Sequence, residues 1–364
     1  MLKRYIKRLG LALLALALIL VAFIAYHMQI HADITAKEVV PANESADIKV
    51  AAQSAVGIIK ALKTSYAARG VHAKGHACVK AFFTVSPVID AQLRYGVFST
   101  PGKQYQSWIR FSNSGSNMAN ADDRAKDARG MAIKVLNVGQ NINGGTTQEF
   151  IAHNSPAFFV TSVADYNKFV DTKGDPAYFV QGYNPFKWRL RELWQLITAY
   201  SPPPKSPLWT EYFSNTAYKL GPHNIKFKMR SCAEPSKIKA DVSQDPDFLK
   251  HTLATELAEK NACMLLMVQV QDTSKTMPIE DATVLWQETE VSFVPVATLD
   301  IIQQTFDTPE QQQFCENLSF NPWNALADEQ PVGALNRARR WVYAASSDYR
   351  HAQNKTTIPQ DLNW

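Results

Sequence analysis

Residues Leu9 to Tyr26, LGLALLALALILVAFIAY, carry no charge and follow the basic residues Lys3, Arg4, Lys7 and Arg8. As a helix rising about 1.5 Å per residue, this run reaches roughly 27 Å, close to the thickness of a hydrocarbon core. It divides the 364 residues into a basic cytoplasmic flank (1–8), a transmembrane anchor (9–26) and everything beyond. With the positive flank held in the cytoplasm, a single crossing puts the rest of the chain on the non-cytoplasmic side, which is the periplasm if the source is bacterial. A cleaved signal peptide is the rival reading, but its apolar region is usually shorter, about 7 to 15 residues, and ends at a small-residue site. No convincing site follows Tyr26, which favours the uncleaved anchor.

That placement gives the cysteines a meaning. Cys78, Cys232, Cys263 and Cys315 fall in an oxidising compartment, where one or two disulfides can persist. Their spacing does not say which pair, and the lack of a CxxC or Cys/His cluster argues against structural zinc. At 46% hydrophobic and 20% charged the chain can bury a large core. The net charge of +5 is spread rather than blocked, so nucleic acid is not an expected partner.

Residues 27–47, polar from Asp33 onward, read as a tether, and 48–364 as the folded body. Helix-like spacing runs from Ile48 to Ala68. Short β-rich runs follow at 78–85, 105–112, 130–138, 224–232, 263–272 and 291–301, separated by Gly, Pro, Asn and Ser as antiparallel strands are. Helices are predicted at 163–172, at 188–200 before Pro202-Pro203-Pro204, and near 246–261, and the last 50 or so residues are helical in composition. Strands of this number and spacing suggest a barrel with helices outside it or at one end.

Against this frame stand several short motifs. Arg69-Gly70-Val71-His72-Ala73-Lys74-Gly75 precedes the first strand; a histidine among small residues is by itself more often structural than functional. Then come Arg110-Phe111-Ser112-Asn113, Asp127-Ala128-Arg129-Gly130, and His153-Asn154-Ser155-Pro156-Ala157-Phe158-Phe159. Arg339-Arg340-Trp341-Val342-Tyr343 lies near the C-terminus, with Arg350 seven residues after the tyrosine. In that order and at comparable distances these segments resemble the haem-dependent catalases, especially the short catalase-like peroxidases. The resemblance covers roughly residues 65–354, with about 175–290 matched only in outline.

The resemblance implies an α+β fold: a catalase-like antiparallel β-barrel core with surrounding and C-terminal helices, here behind one N-terminal transmembrane helix. It implies haem b as cofactor. His72 would lie over the haem face as the base that takes a proton from one peroxide oxygen and returns it to the other, a task suited to an imidazole. Ser112 would hold that ring, and Val71 would sit beside it against the macrocycle. Tyr343 would be the iron ligand, one helical turn from Arg339, whose guanidinium suits an anionic oxygen ligand by charge and hydrogen bonding. Arg69, Arg110 and Arg350 would neutralise the two propionates. Tyr166 would stand where the family stacks an aromatic ring near the haem.

Two departures from the family bear on activity. Only 21 residues follow Tyr343, so the C-terminal nucleotide-binding region of full-size catalases, and with it NADPH, is not expected. His153 stands where the family has a distal asparagine, with Asn154 one position on. The expected activity is therefore reduction of hydrogen peroxide or an organic hydroperoxide at the expense of a small electron donor, with weak catalase turnover. Two alternatives remain open: a hydroperoxide isomerase or lyase of allene oxide synthase type, and a non-enzymatic membrane-tethered haem-binding module.

Overall fold

The computed structural model describes residues 2–28, 36–115, 121–173, 175–233 and 244–364. Helix α1 (Leu2–Met28) takes in the basic flank as well as the apolar run. Leu9, Leu14, Leu16, Ile19 and Val21 are all exposed, so among the described residues nothing covers this apolar stretch of the helix. By length and composition it can cross a membrane. Its C-terminal end turns onto the body, where His27 is buried and the Phe23 ring lies 6.0 Å from that of Phe186.

The body is built on strands β1 (Gly75–Val85), β2 (Gln104–Asn113), β3 (Arg129–Val135), β4 (Gln148–His153), β5 (Tyr212–Phe213), β6 (Tyr218–Leu220), β7 (His223–Ser231), β8 (Ala262–Val270) and β9 (Val294–Ile301). Antiparallel pairing runs β1-β2-β3-β4-β5-β7-β8-β9 and returns from β9 to β1. Among the described residues this closes an eight-stranded barrel, with β6 added beside β7. Closure removes the unpaired edges that an open sheet would present. Alternation sends every second side chain inward: Val79, Ala81, Phe83 and Val85 of β1 meet Ile109, Met131, Phe150, Phe227, Leu266 and Leu299. Phe83 and Phe150 stack at 5.9 Å. The interior is therefore a packed core, and any site must lie on the outer wall or at an end.

Outside the barrel, α2 (Glu44–Ala61) lies along α7 (Ala334–Asn354) and against α3 (Val163–Asp171). The other helices are α4 (Leu190–Ala199), α5 (Phe248–Glu259) and α6 (Pro309–Asn317). The N-terminus of α3 is fixed by Ser162, whose hydroxyl accepts from the Asp165 amide. Helix α7 stops at Lys355, which turns left-handed with φ 55°.

Several boundaries differ from those read in the sequence. The helix expected over 48–68 occupies Glu44–Ala61, because Glu44 and Asp47 complement its N-terminal dipole. Part of the stretch 27–47, read as a tether, makes contacts with the body. Glu38 and Glu44 both pair with Arg337, and the Val39 amide donates to Glu280, so residues 36–47 are tied down; 29–35 lie outside the described residues. The third strand ends at Val135, before Asn137 turns left-handed at φ 57°. After α7 the chain is extended, and its Trp364 packs on Phe82. Cys232 and Cys263 form a disulfide, while Cys78 and Cys315 are buried thiols.

Candidate active site

The site begins with the register of three strands. Ser112 of β2 pairs with Gly130 of β3, and Gly130 pairs with His153 of β4, so the three stand in one row across the sheet. Residues directly opposite share a face, and Ile109, Phe111, Met131, Ile133, Phe150 and Ala152 take the inward positions. The row therefore belongs to the outer wall, together with Arg110, two residues before Ser112 on β2.

His72 reaches this row from the loop before β1. Its backbone is left-handed, φ 55°, held by its own amide donating to Ser114 O (3.1 Å) and its carbonyl accepting from Arg110 Nη2 (2.8 Å). Such a conformation persists in a non-glycine residue only where its surroundings impose it. The imidazole Nδ1 lies 3.0 Å from Ser112 Oγ. It rests on Gly130: a β-carbon there would fall 2.5 Å from both Nδ1 and Cε1 of the ring. The missing side chain of Gly130 is thus the seat of the histidine.

His153 shares the cavity, its ring 6.2 Å from that of His72 and nearly perpendicular to it. Its Nδ1 accepts from the Ser155 amide at 3.3 Å, which leaves the proton on Nε2. Both histidines retain some exposed area because they face the cavity, yet protein surrounds them. Burial first, then the neighbouring His153 and the guanidinium groups of Arg110, Arg339 and Arg69, push His72 down to about 3. Burial and Arg339 bring His153 to about 4. Both rings are neutral at ordinary pH.

Asn154 is not brought to the cavity. Its Oδ1 accepts from the Arg129 amide, and its Nδ2 donates to Ala199 O (3.1 Å) and Ser201 Oγ (3.0 Å). The amide is spent on joining β3 to the end of α4, so the role expected for Asn154 beside His153 finds no geometry here.

The opposite wall is α7. Arg339 Nη2 donates to Tyr343 Oη at 3.2 Å, one turn apart as the spacing predicts. Its Nη1 donates to Tyr218 Oη (3.2 Å), Asn336 Oδ1 (3.0 Å) and Thr216 Oγ1 (3.4 Å). This net, invisible in the sequence, fixes the guanidinium against the phenol. Two adjoining cavities of about 970 and 940 Å³ are both lined by Val71, His72, Tyr166, Val342 and Tyr343.

At the rim of the first cavity, Arg69, Arg110 and Arg350 converge on Glu316, the penultimate residue of α6, at 2.7, 3.8 and 3.8 Å. Burial opposes its charge, but the three guanidinium groups hold the carboxyl below its usual range. The sequence reading missed Glu316. Three cations around one anion leave two positive charges over, and the buried Nε atoms of Arg110 and Arg350 have no partner among the described residues. Two further carboxylates would balance the cluster and use those donors. A haem, with two propionates and an iron open to a protein ligand, would fit this donor set: arginines at one rim, a phenol with its guanidinium on one wall, and a neutral imidazole on the other.

The catalase family model matches residues 62–197. A catalase from Ascaris suum is 25% identical over 314 residues, covering 80% of this chain and 56% of its own length. Catalase A of Pseudomonas putida is 22% identical over 317 residues, covering 80% and 63%. The chain thus spans about three fifths of the length of these relatives. A crystal structure of a fungal catalase superposes with a TM-score of 0.64 at 19% identity, over 80% of this chain and 61% of that one. Catalase A from Saccharomyces cerevisiae gives 0.63 at 17%, over 81% and 67%. The barrel and its helices have the catalase fold, and the family model, the relatives and the solved structures all give the likeness to catalases.

Proposed function

We propose that this chain is a haem b enzyme of the short, peroxidase-like branch of the catalase family, reducing hydrogen peroxide or an organic hydroperoxide at the expense of a small donor. Helix α1 anchors it in a membrane, with the body on the non-cytoplasmic side. The observation that carries the reading is that His72, held by Ser112, and Tyr343, held by Arg339, both line the two adjoining cavities.

Tyr343 would hold the iron through its phenol oxygen, Arg69, Arg110 and Arg350 would take the propionates, and Tyr166 and Val71 would line the macrocycle. Bound there, haem iron supplies the electrons that divide the O–O bond. The protein's share is proton handling. With Nδ1–H donating to Ser112 Oγ, the His72 Nε2 lone pair is free to accept the proton of one peroxide oxygen. Its strongly lowered basicity makes the return of that proton to the departing oxygen downhill. Arg110 holds the His72 carbonyl and so couples the propionate rim to the position of the base.

His153 favours peroxidase over catalase turnover. An amide is a fixed donor and acceptor, able to orient a second peroxide, whereas the imidazole here offers only Nε2–H. Asn154 cannot substitute, because its amide is already bonded on the far side of β4. The test is turnover of hydrogen peroxide with a guaiacol-type donor. Donor oxidation should exceed oxygen evolution, and His72→Ala should abolish both. Rearrangement of a fatty hydroperoxide without any donor, or no turnover at all, would replace this reading with one of its alternatives.

A further inference from the structure

The loop before α4 and the outer face of that helix carry side chains that a protein facing water does not expose together. Tyr183 is 105% exposed, Phe186 60%, Trp194 55% and Ile197 56%. The inner face of α4 is already satisfied, since Leu193 and Leu196 pack with Phe158, Tyr166 and Val342 in the cluster behind the cavity. The outer apolar face has therefore no packing duty in the body. Contiguous exposed apolar surface of this kind marks a contact with something else.

The position of α1 says what that is. Its last turns lie on this patch: the Phe23 ring is 6.0 Å from Phe186 and 6.4 Å from Trp188, and the Tyr26 ring is 5.6 Å from Phe186. Phe23 and Tyr26 end the apolar run, so in a membrane-anchored chain they stand at the outer boundary of the hydrocarbon. Side chains touching them share that depth. Tyrosine and tryptophan, with an apolar body and one polar tip, are the residues that settle there.

We infer that the outer face of α4 and the loop ahead of it form a lipid-binding surface, lying in the boundary between headgroups and acyl chains beside the anchor. The occupant is the bilayer itself. The body then does not swing on a tether but rests on the membrane, with α4 alone between the lipid and the apolar cluster that walls the cavity. This rests on the anchoring of α1, and its test separates the two.

The full chain is reconstituted into phosphatidylcholine vesicles with or without bromine on the acyl chains, and tryptophan fluorescence is compared. Bromine should quench part of the emission, including that of Trp188 beside Phe23, and Trp194→Phe should reduce the quenched part while Trp341→Phe should not. Trp341 is an equally exposed control, 57% against 55%, placed on α7 beside Arg340. A quenched fraction unchanged in Trp194→Phe, in a chain that survives an alkaline wash of the vesicles, would overturn the lipid surface and leave the anchor standing. A chain that the wash removes would overturn the anchor, and the surface with it.

Discussion

Gly130→Ala should cripple turnover while sparing the proximal side. The added methyl would fall 2.5 Å from Nδ1 and Cε1 of His72 and 3.1 Å from Ser112 Oγ, where ordinary contact begins near 3.4 Å. The His72 ring must therefore retreat by about 1 Å, or its hydrogen bond to Ser112 must break, and overpacking of this kind costs about 1–3 kcal/mol of stability. A base misplaced by about 1 Å loses roughly a hundredfold in rate. Arg339 and Tyr343 lie on α7, away from the added methyl, and keep their hydrogen bond. The assay is peroxide turnover per bound haem alongside the visible spectrum. The expected result is a loss of about two orders of magnitude with haem content and spectrum retained. A variant that turns over within a few fold of the wild type would refute the seat assigned to Gly130, and with it the fixed position of the His72 ring.

Other perturbations follow from the same geometry. His153→Asn should raise oxygen evolution severalfold while leaving donor oxidation within a few fold; no gain in oxygen would remove the explanation offered for the substitution. Stability should fall with acidification, because His72, His76 and His153 are brought by burial to about 3, 4 and 4, below the 6.5 of an unfolded chain. Between pH 6.5 and 4.5 the unfolded chain binds protons that the folded one refuses. Glu329 opposes this, since burial raises its carboxyl to about 8 and the folded chain holds that proton instead. The net difference approaches two protons, a loss of at most about 2.7 kcal/mol per pH unit. Urea midpoints at pH 7, 6 and 5 measure it, and midpoints that do not move would show that these histidines are not buried neutral.

The convergence of the candidate site residues was legible in the sequence where they stand at a fixed offset on one element. Arg339 and Tyr343 meet because they are one turn apart on α7, and Arg69, His72, Arg110 and Ser112 because they flank paired strands. Residues whose role comes only from packing were not legible. Gly130 reads as the start of a strand until its register shows the imidazole above it, and Glu316 reads as an acid near the end of an ordinary helix until three arginines close on it. Strand β4 was missed because its outward Glu149 is buried, paired with Lys134 and accepting from the Asn321 amide, so the polar residue that suggests a loop lies inside. Strands β5 and β6, two and three residues long, are too short to show a period. The membrane reading came from composition alone, whereas the aromatic patch needs the fold to bring α1 onto the 186–188 turn.

The central claim is that Tyr343, braced by Arg339, holds the iron of a haem whose peroxide face is served by His72. The visible absorption spectrum of the purified full-length protein and of its Tyr343→Phe variant tests this most directly. The wild type should show ferric high-spin haem with tyrosinate-type bands, and the variant should lose haem or change its spectrum drastically. A Tyr343→Phe protein that binds haem with an unchanged spectrum would contradict the account.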